Sequence, residues 1–511
     1  MVRLLFLIHR YLGIALGVVI TLWCLSGFVM MYEQYPELDD RERLAGLEPL
    51  NLTACCRLPT DFSNIEIDRF RVEMMAGGPV LRLVTGRFQY VIDLRTGEYL
   101  PEFHAADARF IATTAAAEYG LQGSPRLVDL IVRDQWTVYA SYTPHRPLFH
   151  FAMDDPAGTE FYLSSTTGEV VQMTNFRQRF LNWMGAVIHW LYPTVLRQHT
   201  GVWLQVVIWL TIASLFLTVI GIYIGLRQFR TRRNGHLSPY RGWGLWHHYA
   251  GLVFGLFTLT WLISGLFSVN PFGALESRGF FVENQRLRGS AVHFEQAAAF
   301  VNALAGERAP PVASAPAWED IPSSTVRLDV SVVGGQLYAV ASDKEARRVR
   351  LNAGTLNPEA LPESFFTRAA GIMRPDVPIA EAGWLTEGDA YYYSHHDERR
   401  FPVYRIRYGD GERFYLDSET GELAYVADRD RQRLRWIFLA LHRGDFSALI
   451  RSRPIWDLMM WPLMLGVTIG AITGTWMGFQ RMARAVRRWF RVPAGPHAIS
   501  RRTSPSAPGA T

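Results

Sequence analysis

The sequence predicts a helical membrane protein: four transmembrane helices arranged as a duplicated unit, with two α+β domains outside the membrane. Three observations predict it: uncharged stretches, the partition of charge between them, and an internal repeat. Within the 511 residues, the stretches 11–32, 201–226, 249–275 and 458–480 contain no Asp, Glu, Lys or Arg. Each exceeds the ~20 residues that cross a ~30 Å hydrocarbon core as a helix. Composition agrees, with 49% apolar, 13% aromatic and only 19% charged residues, against about a quarter charged in soluble domains. A disordered or collagen-like chain is excluded.

The charge partition sets the expected topology. Residues 1–10, 227–248 and 481–511 together hold fourteen arginines and no acid. The rest of the chain has 38 cations against 47 acids, a net of −9. An excess of Lys and Arg marks the cytoplasmic side. Both termini and the short middle link are therefore expected in the cytoplasm, with 33–198 and 270–453 on the other side. The net charge of +5 is then a topology signal, and nucleic acid is not an expected partner. The first apolar run exceeds a 7–15 residue signal core and is followed by no A-x-A-like site, so it reads as an uncleaved anchor.

Self-similarity is the most informative feature. HRYLGIALGVVITLWCLSG from His9 aligns without a gap with HHYAGLVFGLFTLTWLISG from His247. The pairs are His9/His247, Gly13/Gly251, Gly17/Gly255, Trp23/Trp261 and Ser26-Gly27/Ser264-Gly265. Further on, FYLSSTTGE from Phe161 aligns with FYLDSETGE from Phe414. That same offset pairs His189 with His442, Trp203 with Trp456, Gly221 with Gly474 and Gly225 with Gly478. The expected organisation is a first helix at 1–32, an outer domain at 33–179, and an interfacial segment with the second helix at 180–226. A basic link at 227–245 leads to a third helix at 246–270 and a second outer domain at 271–432. An interfacial segment with the fourth helix follows at 433–480, then a basic tail at 481–511, disordered from about 493.

In the outer regions, 105–120 and 364–373 read as helices. WTVYASY (136–142) and FPVYRIRY (401–408) alternate with period two and read as strands. YVIDLRTGEYL, FYLSSTTGEVV and FYLDSETGELAYV each read as strand, turn, strand, with Gly97, Gly168 and Gly421 at the positive-φ position. Tyr391–Tyr393 with His395, His396 and Asp397 is a candidate ligand or metal site, but its repeat register with 139–142 favours a plain hairpin. Of the three cysteines, Cys24 lies in the first helix, and the adjacent Cys55 and Cys56 read as thiols rather than a disulfide. No C-x-x-C-H for covalent haem and no iron–sulfur spacing is present.

Of fourteen histidines, two positions recur in both halves. His9 and His247 begin helices at the cytoplasmic face, while His189 and His442 precede helices at the outer face, each six residues after a tryptophan (Trp183, Trp436). An ionisable group at such a depth is costly and marks function by default. Two neutral imidazoles facing each other between helices can fill both axial positions of a haem iron, which suits electron transfer. Gly13-x-x-x-Gly17 and Gly251-x-x-x-Gly255 would make flat helix faces for close packing or for a macrocycle, and Trp23, Trp261, Trp183 and Trp436 would complete an apolar pocket. His248 neighbours His247 but points about 100° away from it. His199 stands opposite Ser452 in the repeat and His236 has no counterpart, so both are weaker candidates.

HRYLGIALGVVITLWCLSG, the T-G-E turns and Leu441-His442-Arg443 resemble the PepSY-associated membrane proteins, over about residues 3–485. That family includes bacterial inner-membrane reductases of ferric siderophores. The resemblance implies PepSY-like periplasmic domains and two noncovalent b haems, the inner held by His9 and His247 and the outer by His189 and His442. Electrons would cross to a periplasmic ferric chelate with no general base or nucleophile required. The cytoplasmic parts carry no nucleotide-binding G-x-G-x-x-G, so the donor would be separate, a membrane quinol or a small cytoplasmic carrier. The alternative is a membrane-anchored periplasmic binding or regulatory module without redox activity. A transporter is disfavoured, since the uncharged stretches hold no Asp or Glu and the only proline expected to interrupt a helix is Pro462.

Overall fold

A computed structural model describes residues 2–489 apart from 54, 60–64, 87, 232–234, 307–323 and 396–397. The tail expected to be disordered lies outside the described residues, as do His396 and Asp397. Four helices, Val2–Met30, Thr200–Gln228, Trp243–Ser268 and Ile455–Trp489, are long and apolar enough to cross a membrane, and each contains most of one uncharged stretch. At 1.5 Å per residue all exceed the ~30 Å core. Their backbone polar groups are satisfied within the helix, so large apolar side chains such as Val253 and Leu458 can stay exposed to lipid. The chain is a multi-pass membrane protein. Pro462 lies inside the last helix and does not break it.

The chain divides into two compact units. One is formed by 1–21, 216–258 and 465 onward, the other by 22–215 and 259–464. In the first unit small residues set helix spacing. A Cβ on Gly17 would lie 2.7 Å from Thr475 Oγ1 and 3.4 Å from its Cα, and the hydroxyls of Thr21 and Thr475 are hydrogen-bonded at 2.9 Å. Gly251 has no neighbour within 4 Å. Close packing is thus seen at Gly17, and at Gly255 against Ile222, while a Cβ on Gly251 would meet open space.

The second unit is α+β outside its helix ends. Strands Pro125–Ile131, Leu148–Met153, Glu160–Ser164 and Val170–Thr174 form one antiparallel sheet in that order. Ile379–Leu385, Val403–Tyr408, Arg413–Asp417 and Leu423–Ala427 form another. Helix Ala105–Glu118 buries Ala108, Ile111 and Ala112 against Phe149, Phe151 and Phe161 of the first. Helix Glu363–Met373 buries Phe366, Ala370 and Met373 against Ile406, Tyr408 and Phe414 of the second. The T-G-E turns place Gly168 and Gly421 at φ of +68° and +72°, where a side chain is strained.

Two expectations are corrected and one is met. WTVYASY is not a strand. Trp136, Val138 and Tyr142 are buried in an aromatic cluster, and Ala140–His145 is a 3-10 turn, because burying these rings outweighs strand propensity. The Tyr391–Tyr393 segment lies, as expected, in a hairpin connection, the long loop between the antiparallel neighbours Ile379–Leu385 and Val403–Tyr408. Cys55 and Cys56 are joined as a disulfide.

A third sheet joins the two outer regions, which sequence patterning had kept apart. Its seven strands run in the order Arg348–Asn352, Gln336–Asp343, Thr325–Val333, Arg69–Met75, Gly78–Thr85, Phe88–Asp93, Glu98–Tyr99. At its middle, Leu328 faces Val72 and Val330 faces Phe70. Each central strand would otherwise be a bare edge with unpaired backbone groups, and their pairing removes both edges. One face packs Phe70, Val72, Leu81, Leu328 and Val330 against Phe300 and Val301 of helix Phe294–Gly306. The other carries charge. Buried Glu169, from the first T-G-E turn, receives Arg43 at 2.9 Å and a close contact from Arg71, and Arg327 reaches Asp40 at 2.8 Å.

Burial alone would raise the Glu169 carboxyl, but Arg71, Arg82 and Arg43 hold it well below its usual 4.5. A depressed folded-state value adds stability above the unfolded value, lost as pH falls through the folded one. Glu169→Gln should therefore lower unfolding stability at neutral pH by about 3–5 kcal/mol, because it strands buried guanidiniums. Thermal unfolding of both proteins in detergent should show the gap closing as pH drops below about 4.5.

Candidate functional site

The repeated histidines meet as pairs. In the first unit the rings of His9 and His247 stand 6.2 Å apart, centre to centre, at 42°. His9 Nδ1 donates to the Leu217 carbonyl at 3.2 Å and His247 Nδ1 to that of Gly470 at 2.9 Å. Each accepting carbonyl lies one helical turn before a glycine, Gly221 or Gly474. A Cβ there would come within 2.7 Å of His9 Cε1 or 2.8 Å of His247 Cε1. The bare glycines let the imidazoles lie flat on the neighbouring helix.

In the second unit His189 ends the short helix Ala186–His189 and His442 lies in Leu441–Arg443. Their rings are also 6.2 Å apart, at 73°. His189 Nδ1 is 3.1 Å from both the Trp23 carbonyl and Ser26 Oγ. His442 Nδ1 is 3.2 Å from the Trp261 carbonyl and 3.0 Å from Ser264 Oγ. Both serines are buried and donate their own hydrogens to helix carbonyls, Ser26 to Leu22 at 2.7 Å and Ser264 to Trp261 at 3.1 Å, which leaves their lone pairs to accept from the imidazoles. A second clamp acts on the next residue: Trp203 Nε1 donates to the Trp190 carbonyl at 2.9 Å, and Trp456 Nε1 to that of Arg443 at 2.7 Å. Burial lowers both imidazoles, His189 to about 4 and His442 to about 3, the latter also through His189 and Arg443. Both are neutral at pH 7.

All four histidines thus spend Nδ1–H on a backbone carbonyl, and none has an Nε2 hydrogen bond among the described residues. This is how proteins fix the tautomer of a metal-binding imidazole. Each pair, with its rings 6.2 Å apart, could hold one metal or cofactor through Nε2. Among the described residues no three His, Cys, Asp or Glu converge as a metal cage.

The other candidates fall away. His248 is buried with both nitrogens engaged, Nδ1 with Ser238 Oγ at 2.8 Å and Nε2 with the Gly225 carbonyl at 2.9 Å. His199 and His236 are exposed. Tyr393 and His395 turn to Asp445, at 2.6 and 3.3 Å. Trp183 and Trp436 are 47% and 42% exposed, while Trp23 and Trp261 contribute their carbonyls. Ser26, Ser264, Gly221, Gly474, Trp203 and Trp456 were visible only as repeated letters, because their partners are distant in sequence.

Beside His189, the Trp190 ring lies tilted to Tyr35 at 5.7 Å and edge-on to Tyr192 at 5.2 Å. Tyr35 also lines a polar cleft of about 1570 Å³, together with Arg43, Arg69, Arg71, Arg327 and Asp329. No curated protein matches the chain. A model of the PepSY-associated TM region matches residues 6–481, so a span that takes in all four histidines and all four apolar helices makes the chain a member of that family.

Proposed function

We propose that the protein carries electrons across a bacterial inner membrane through two b haems and reduces a ferric chelate, such as a ferric siderophore, in the periplasm. The observation that carries this reading is the pair of facing imidazole pairs, each ring anchored through Nδ1 with Nε2 free. His9 and His247 would hold one haem, and His189 and His442 the other. A haem held by two imidazoles would supply one-electron exchange there.

The chain's own residues provide the rest. The carbonyls of Leu217, Gly470, Trp23 and Trp261 fix tautomer and ring direction, and Gly221 and Gly474 make room for the inner rings. The cleft lined by Tyr35 is the place we assign to the chelate, since one aromatic contact, Tyr35 to Trp190, separates it from the residue after His189. There a single electron converts ferric to ferrous iron, and no proton transfer is needed. The arginine bias supports a reading with both termini in the cytoplasm, where a quinol or a small cytoplasmic carrier would be the donor. The mixed-charge cleft would equally serve a membrane-held binding module without redox activity, and haem content separates the two readings.

Purified after haem-replete expression, the protein should show a reduced-minus-oxidised α-band equal to two b haems per chain, removable by acid-acetone. Less than one haem per chain would overturn the proposal. His9→Ala or His247→Ala should remove about half the low-spin signal and leave the outer haem reducible by an added dye. His189→Ala or His442→Ala should remove the other half and abolish chelate reduction, and His199→Ala should retain both.

Gly221→Val and Gly474→Val should mimic loss of the inner haem alone, since the added carbons meet His9 or His247. A normal spectrum in both would show that these glycines do not shape the site. For orientation, alkaline phosphatase fused after residue 120 or 340 should be active and after residue 235 inactive. The reverse pattern would turn the direction of transfer around.

A further inference from the structure

Helix Phe176–Met184 has an apolar face that no part of the second unit covers. Phe176, Phe180, Trp183 and Met184 are 65%, 55%, 47% and 51% exposed. At about 100° per residue, positions i, i+4, i+7 and i+8 form one stripe about 100° wide. The opposite side of the helix is committed to the protein. Asn182 donates to the Gln34 carbonyl at 2.9 Å, and Arg179 donates to those of Thr174 and Gly158 at 3.3 and 2.8 Å. Asn175 and Gln178 close a capping box at its start. Its end abuts the last turn of the first spanning helix, where a Cβ on Gly185 would lie 3.0 Å from Val29 Cγ1. The stripe therefore sits where Val2–Met30 leaves the hydrocarbon.

The other half of the chain repeats the situation. Trp436, Leu441, Phe446 and Leu449 are exposed just before the helix Ile455–Trp489. Arg453, between them and that helix, donates to the Met31 carbonyl at 3.1 Å and covers the Tyr32 ring at 4.6 Å. This segment too lies at the end of the first spanning helix.

We propose that Phe176–Met184 and the segment 436–449 lie in the plane of the bilayer surface, with their apolar side chains in the headgroup–acyl boundary of the leaflet from which the α+β region rises. The occupant is phospholipid. The faces continue the surface of a spanning helix, they are rich in the Phe, Trp and Leu that in-plane helices use, and exposed Arg177 flanks the first one at headgroup height. The consequence is positional. His189 follows the first anchor by five residues and His442 lies within the second, so the lipid surface fixes the depth of that imidazole pair. This inference does not depend on haem.

Nitroxide labels at Phe176→Cys, Phe180→Cys and Met184→Cys, each in full-length Cys24→Ser protein in phosphatidylethanolamine–phosphatidylglycerol vesicles, test it through collisions with oxygen and with a water-soluble nickel chelate. Label at Val253→Cys, exposed on a spanning helix, gives the lipid reference, and label at Glu345→Cys, exposed on the α+β region, the aqueous one. High oxygen and low nickel collision at all three positions, as at 253, is expected. Nickel collision as frequent as at 345 would place the stripe in water, and low collision with both would place it against protein. Either result overturns the proposal. All three positions are exposed, so substitution removes no buried contact, and three independent sites guard against failure of any one variant.

Discussion

One hydrogen bond, made four times, organises the structure: a histidine Nδ1–H given to a main-chain carbonyl of a neighbouring helix. An imidazole buried at a membrane depth cannot stay charged and cannot leave its donor unpaired without a large penalty. Giving the proton to a carbonyl meets both conditions and leaves Nε2 without a hydrogen bond among the described residues. The helix that accepts must then come close. Glycine follows the accepting carbonyl by one turn in the first unit, and the W-x-x-S-G segments supply the acceptors in the second. Gly221, Gly474, Ser26 and Ser264 all serve that single bond.

The outer pair needs more support, because its histidines sit on short helices rather than within spanning ones. Each is held from two directions, by the W-x-x-S-G carbonyl on the ring and by an indole N–H on the carbonyl of the next residue. The α+β region supplies rigidity behind them. Its seven-stranded sheet is completed only when strands 69–75 and 325–333 pair, so residues from both outer regions share one hydrophobic core. Ion pairs on the opposite face tie the T-G-E turns back to that sheet, through Glu169 to Arg71 and Asp417 to Arg348.

Features set by local chemistry were legible in the sequence. Uncharged length gave the spanning helices, glycine turns gave the strand pairs at 160–174 and 413–427, and the repeat singled out the four histidines that the structure brings together in twos. What escaped were relations between distant segments. Nothing near Val72 announces Leu328 as its neighbour, so the shared sheet could not be read. WTVYASY has the composition of a strand, yet its rings are drawn into the cluster around Tyr35 and Tyr192. Trp183 and Trp436 read equally well as pocket walls or as surface anchors, because an aromatic letter does not record which way it faces.

Where the halves differ is as instructive as where they agree. Trp190 and Tyr192 follow the first outer histidine, while Arg443 and Asp445 hold the same places after the second. Tyr192 joins Tyr35, Tyr139, Trp190 and Trp203 in an apolar aromatic box. Asp445 is instead fully buried and ringed by Tyr393, His395, Arg451 and Arg435. Burial would raise its carboxyl, but those donors and cations hold it at about 2, so this cage keeps its charge. The two sides of one imidazole pair thus meet different surroundings. The ionic cage stands three residues after His442, whereas the aromatic box reaches the polar cleft through Tyr35. If a metal chelate sits in that cleft as we propose, the contacts from it toward His189 run through Tyr35 and Trp190.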